Sequence, residues 1–326
     1  MSGAKHELTL AGLNLAEPIV NAPMAGAAGG RLAAAVSAAG GLGMVGIGGG
    51  VEPDWLDREL ALAAASGRPW GAGMMAWVLD GGLDPVRLVL DHRPALLCVS
   101  FGDPGPAAGL AKDAGVVTAM QIGNAADLAR ALEDDIDVIV CRGGEGGGHG
   151  RNEVATLPLL QFVLDNTDKP VIAAGGIGTA RGVAAVLAAG AIGAWVGTRF
   201  AACVESISAD SLKSSITQAS VDDTVYTRAF DVAQRIPWPR EYGGRALRNR
   251  FSDEWDEQVD ELQARVDDDD ELTSLVNTAR ASGDVSVAPV YAGQSAGLTR
   301  RIESAADVMA DLARFRGYLN EASARW

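Results

Sequence analysis

The chain has 326 residues, 48% of them hydrophobic, and a formal net charge of −15. That charge opposes binding to nucleic acid or to an anionic membrane surface, and a small anionic ligand would need local positive groups. The apolar share supplies a large core, and the 41 glycines sit in short clusters at strand ends, which suits tight turns and not a linker.

Cys98, Cys141 and Cys203 are odd in number and lack metal-binding spacing, so a reduced, cytoplasmic protein without metal is expected. Met1 to Leu10 is polar and lacks the apolar stretch of a signal peptide. No membrane span is expected, because every long apolar stretch is broken by turn signals.

In chain order, Thr9 to Leu13 reads as a lead-in turn. Short apolar strands are then expected at Pro18 to Ala22, Leu42 to Ile47, Trp70 to Ala76 and Ala95 to Ser100. Four more follow at Val116 to Ile122, Ile136 to Cys141, Pro170 to Ala174 and Gly193 to Gly197. Helical segments lie between them: Arg31 to Ala39, Trp55 to Ala65, Asp84 to Leu90, Ala107 to Ala114, Ala125 to Leu132, Leu157 to Leu164 and Arg181 to Ala189. Thr179 is placed to cap the last of these.

Eight strands alternating with helices predict an α/β fold, a (β/α)8 TIM barrel. An open doubly wound sheet is the alternative. After Cys203 the composition turns polar, acidic and helical, with Asp267 to Glu271 as a solvated run. Residues 204–284 read as a small, mainly helical inserted domain with Trp238, Tyr242 and Trp255 in a core of its own. Residues 1–203 and 285–326 form the barrel. One last helix is expected with Val308, Leu312, Phe315 and Leu319 on one face and Ser304 at its cap.

A barrel binds its ligand at the carboxyl ends of its strands. Of the three histidines, His6 is in the lead-in and His92 precedes a strand. Only His149 follows one, at the end of Gly143-Gly144-Glu145-Gly146-Gly147-Gly148-His149-Gly150. Titration near neutral pH makes it the candidate catalytic group. A solvent loop with an idle histidine is the plainer alternative. Glycine-rich ends at Gly175-Gly176 and Gly197-Thr198 follow the seventh and eighth strands, where barrels commonly bind phosphate. Tight helix–strand packing would also need small residues there. Cys141 reads as a buried, inert thiol rather than a nucleophile.

Several motifs resemble the nitronate monooxygenases, once called 2-nitropropane dioxygenases. They are Asn21-Ala22-Pro23-Met24-Ala25-Gly26, Gly144 to His149, Ala173 to Ile177, Val196 to Phe200 and Ala292 to Gly297. Thr224 to Phe230 and Leu247 to Phe251 extend the resemblance into the insertion. It implies FMN at the barrel mouth, with Ala22, Pro23 and Met24 along the isoalloxazine and Gln121 at the ring or ribityl edge. Gly148, Gly175, Gly176, Gly197 and Thr198 would bind the cofactor, the last four at its phosphate. Gln294 and Gly297 would close over it, and His149 takes the place of the family's active-site histidine. The implied activity is oxidation of alkyl nitronates by O₂ to a carbonyl compound and nitrite.

Two departures stand out. The family's Glu-Ala-Gly-Gly-His is Glu-Gly-Gly-Gly-His here, and the segment Asp231 to Tyr242, with Ile236-Pro237-Trp238-Pro239, is longer than usual. Enoyl-ACP reductases and quinone reductases that use FMN and NAD(P)H share much of the pattern and give a second reading. A non-catalytic flavin- or phosphate-binding barrel is a third. Small-molecule substrate and O₂ are the expected partners, with a homodimer favoured only by base rates.

Overall fold

The computed structural model describes residues 8–10 and 12–325. His6, and Ala11 of the lead-in, lie outside the described residues. The strands are β1 Leu8–Leu10, β2 Leu13–Leu15, β3 Ile19–Asn21, β4 Gly43–Ile47, β5 Trp70–Met75, β6 Leu96–Ser100 and β7 Val117–Ile122. After them come β8 Val138–Arg142, β9 Gly148–Gly150, β10 Val171–Ala174, β11 Gly193–Val196, β12 Thr224–Thr227 and β13 Gly243–Leu247. The lead-in is an antiparallel ribbon of β1 and β2 and not a bare turn.

One eight-stranded parallel sheet runs β3-β11-β10-β8-β7-β6-β5-β4. Its two edges meet. Leu42 N–H donates to Ile19 O at 3.0 Å, and Val20 bridges Leu42 in parallel. The buried side chain of Asn21 completes the seam. Its Nδ2 donates to Met44 O at 2.9 Å, and its Oδ1 accepts from Met44 N at 2.8 Å. A side-chain amide thus makes both bonds of a peptide group where the three-residue β3 runs out. The sheet is a closed TIM barrel, which leaves no edge to cover.

Helices alternate with the strands and pack outside them. Asn124 accepts from Asp127 N at 2.9 Å and Thr179 from Gly182 N at 3.3 Å, as capping residues do. The barrel interior holds Val20, Leu42, Met44, Leu96, Cys98, Ala119, Val138, Val140, Ile172 and Trp195. β5 turns glycines inward. A Cβ on Gly71 would overlap Met44, and one on Gly73 would overlap Pro23.

The expected single C-terminal helix is two, Ala305–Leu312 and Phe315–Ser323. The chain turns at Ala313 and Arg314, and the second helix lies along the helix Ala180–Ala188, where Arg181 sits 4.9 Å over the Tyr318 ring. A continuous apolar stripe does not reveal such a turn, because both helices bury the same face.

Residues 204–284 are helical in large part, but they also contribute β12 and β13. These pair antiparallel, and β13 pairs with β9 from the barrel's own glycine loop. Phe230, Phe251, Trp255, Leu262, Val266 and Val276 form a local core. Trp238 and Tyr242, expected in it, instead turn toward the barrel mouth. Among the described residues no helix is long and apolar enough to cross a membrane.

Candidate active site

Alternation along a strand decides what reaches the mouth. Ala119 lines the interior, so Gln121 two residues on shares its face. Val140 does the same for Arg142. Cys141 points the other way, into the layer under the helices. Burial pushes its thiol up to about 12, so almost no thiolate exists to act as a nucleophile. The loop after β3 carries Pro23 and Met24 across the mouth. It can lie there because Gly46 and Gly73 offer no Cβ to oppose it.

Arg142 is the organiser of the glycine loop. It is 3% exposed and meets carbonyls, not a carboxylate. Its Nη1 donates to Arg151 O at 2.9 Å, and its Nη2 to Gly148 O at 3.0 Å and Gly147 O at 3.2 Å. Gly146 O is a further acceptor. Side chains on Gly146 or Gly150 would occupy the guanidinium's space. Burial without a counter-ion pulls Arg142 down to about 10. Arg245 of β13 holds the other arm of the loop, donating to Gly144 O at 2.9 Å and Asn152 Oδ1 at 2.7 Å. Glu145 reaches across to Thr156 N, 3.1 Å away, at the start of the helix Thr156–Asn166. Carboxylates favour that helix end.

The loop delivers His149. Register pairs it with Gly244 of β13. Its Nε2 lies 2.8 Å from Asp231 Oδ1, and Asp231 is 2% exposed. Tyr291 O–H donates to the same oxygen at 3.3 Å. The Trp238 ring is stacked on the imidazole at 3.8 Å, and Trp77 and Phe101 meet Trp238 edge-on, each at 5.1 Å. Phe101 holds φ +67°, a conformation uncommon outside glycine, at the end of β6. His92, in contrast, pairs with Asp57 at 2.8 Å on the outer helices, away from the mouth.

On the neighbouring strands, the ends of β10 and β11 present backbone donors. Among the described residues none supplies an acceptor to the N–H groups of Gly176, Ile177 or Thr198. Gly176 adopts φ +69°, which L side chains rarely do. Three free N–H groups at strand ends suit a phosphate. Thr198 Oγ1 accepts from Gly293 N at 2.9 Å, and Gln294 N donates to Glu145 O at 3.0 Å. The segment after Tyr291 is thereby tied over both glycine loops. Gly297 packs elsewhere, since its missing Cβ makes room for Val221.

The sequence profile described as nitronate monooxygenase matches residues 82–314. The chain belongs to the nitronate monooxygenase family. It is 31% identical to the nitronate monooxygenase npaC of Metarhizium robertsii, over 89% of this chain and 88% of the relative. It is 35% identical to a 5-hydroxy-7a-methyl-1-oxo-octahydro-1H-indene-4-carboxyl-CoA dehydrogenase of Mycobacterium tuberculosis, over 67% of this chain and 62% of that protein. The structure of nitroalkane oxidase from Streptomyces ansochromogenes superposes with a TM-score of 0.80 at 28% identity, covering 94% of this chain and 98% of that one.

Membership makes the chain a flavin-dependent oxidoreductase. The donors at Gly176, Ile177 and Thr198 fit the phosphate of a flavin nucleotide. Reading along the sequence singled out His149 but missed Asp231, Arg142, Arg245, Trp77, Phe101 and Tyr291 around it. Apart from Arg142, none of these stands in a local pattern. A buried arginine after a β-branched run was the one available signal, and only Arg142 carried it.

Proposed function

We propose that the chain oxidises alkyl nitronates, or the parent nitroalkanes, with FMN and O₂, releasing a carbonyl compound and nitrite. The observation that carries this reading is one imidazole on β9, in the loop after β8, beside an anion cradle at the ends of β10 and β11. Gly175, Gly176, Gly197 and Thr198 would hold the phosphate, and Gly148 would pass close to the ring. Ala22, Pro23, Met24 and Gln121 would line the isoalloxazine, with Gln294 closing above. The bound flavin supplies the electron-accepting chemistry, which a protein side chain lacks. This chain's residues bind, orient and exclude water. His149 would hold the nitro oxygens or take the α-proton.

The test is nitrite release and O₂ uptake by the FMN-loaded protein with ethyl nitronate and with nitroethane. His149→Ala should keep the flavin spectrum and lose about 10²-fold or more in turnover. Wild-type turnover by a flavin-loaded His149→Ala protein would remove the histidine from the reaction.

The identity to the M. tuberculosis dehydrogenase favours a second reading, redox chemistry on a carboxyl-CoA substrate; NAD(P)H would be the electron partner in this reading. Rapid anaerobic bleaching of the flavin by NADH or NADPH, with no nitrite from either nitro compound, would establish it.

A further inference from the structure

We infer that Asp231 is a positioning residue that fixes His149 in the tautomer with hydrogen on Nε2, leaving Nδ1 as the nitrogen that meets the substrate. The inference deepens the proposed function and rests on its placement of His149 in the reaction. An ionised carboxylate only accepts hydrogen bonds. Two groups converge on Asp231 Oδ1: His149 Nε2 at 2.8 Å and the Tyr291 hydroxyl at 3.3 Å. His149 is its sole ion-pair partner among the described residues. A carboxylate 2% exposed needs such donors, because burial without them is costly. The ring nitrogen facing it therefore carries the hydrogen.

The ring is also prevented from turning over. Trp238 covers one face at 3.8 Å with 6° between the planes, and the Tyr291 ring lies tilted at 5.1 Å. Gly244 of β13 pairs with His149 in register, and the Nε2 edge of the ring occupies the side where a Cβ on residue 244 would stand, 3.3 Å away. Nδ1 meets no hydrogen-bond partner among the described residues.

A neutral imidazole held this way has its lone pair on Nδ1, so it is set up as a base. It takes a proton from carbon. The C–H bond breaks, its electron pair stays on the carbon and spreads onto the nitro group, and the proton ends on Nδ1. The imidazolium then keeps both N–H groups, with Asp231 balancing its charge. Asp231 itself gains no proton. The oxidant afterwards is O₂, as for a nitronate supplied from outside. The device has a use only when the substrate arrives as a neutral carbon acid, so the dyad serves nitroalkanes and is dispensable for preformed nitronates.

The experiment uses FMN-loaded protein labelled with ¹⁵N-histidine. The chain has three histidines, so a His149→Gln control assigns the signals. Wild type should show His149 protonated on Nε2. Asp231→Asn, which keeps the shape and removes the charge, should shift the ring toward a mixture, and Asp231→Glu should restore it. In kinetics, Asp231→Asn should lose about 10²-fold in kcat with nitroethane and less than about threefold with ethyl nitronate, since only the first needs the proton taken. An Nδ1–H tautomer in wild type, or an Asp231→Asn protein with an unchanged spectrum and an unchanged nitroethane-to-nitronate ratio, overturns the inference. A wild type that turns over neither compound overturns the nitronate reading, and the ring spectrum then decides Asp231 by itself.

Discussion

Trp238 lies flat on the imidazole of His149, ring centroids 3.8 Å apart and planes 6° from parallel. The tryptophan comes from the long segment after Asp231, and the histidine from the barrel loop after β8. Aromatic stacking of this kind is worth about 0.5–1.5 kcal/mol, so Trp238→Ala should lower kcat/KM by roughly twofold to tenfold. Trp238→Phe should keep most of it. Steady-state kinetics on flavin-loaded protein gives the answer, and equal values for all three would make the stack a bystander.

Arg142 sets two opposing effects against each other. Its fall from the ordinary arginine range to about 10 corresponds to a burial cost on the order of 3 kcal/mol. Four carbonyls left without their donor cost about 1–3 kcal/mol each, which is larger. Arg142→Met should therefore lower Tm by several degrees and loosen the loop that carries His149. Arg142→Lys should fall between, because an ammonium cannot span the same fork. Thermal melts decide the sign, and a stabilised Met variant would show that the burial cost wins.

Gly73 bears on the cofactor. A methyl group there would overlap the Pro23 ring. Overpacking of this sort costs about 1–3 kcal/mol, which displaces Pro23 and Met24 from the mouth. Gly73→Ala is expected to weaken FMN binding more than it lowers the melting temperature of the flavin-free protein. Titration of flavin fluorescence measures it, and an unchanged Kd would take Pro23 away from the ring.

The cysteines set the alkaline limit. Burial pushes Cys98 up to about 11, and Cys141 and Cys203 up to about 12, from 9.0. Between 9 and those values the unfolded chain gives up thiol protons that the folded chain keeps. Stability is therefore full below pH 9 and falls as pH rises toward 11 and 12. Each thiol contributes on the order of 1 kcal/mol of that loss by pH 10. Urea melts at pH 8, 9 and 10 should show a falling midpoint that flattens when the cysteines are replaced by alanine. Cys141→Ala should leave turnover intact.

The barrel was legible because its signals are local. A run such as Val138 to Cys141 is strand by its β-branched residues, and Thr179 and Ser304 announce their helices within three residues. Backbone donors at the Gly176 turn were legible for the same reason, since a glycine pair after a strand fixes a backbone shape. Trp238 and Tyr242 were misplaced. An aromatic residue reads as core in either setting, and its neighbours in sequence do not say which core it joins.

The sequence by itself determined the eight-strand alternation, the single histidine at a strand's carboxyl end and the family. These depend on periodicity and on residue types within a few positions, where chain geometry leaves little choice. Only the tertiary structure decided how that histidine is held. Asp231 lies 82 residues from His149, and Gly244, Trp238 and Tyr291 come from farther still. Contacts at that range are selected by packing of the inserted segment on the barrel loop through β9 and β13, and no local preference of any one residue encodes them.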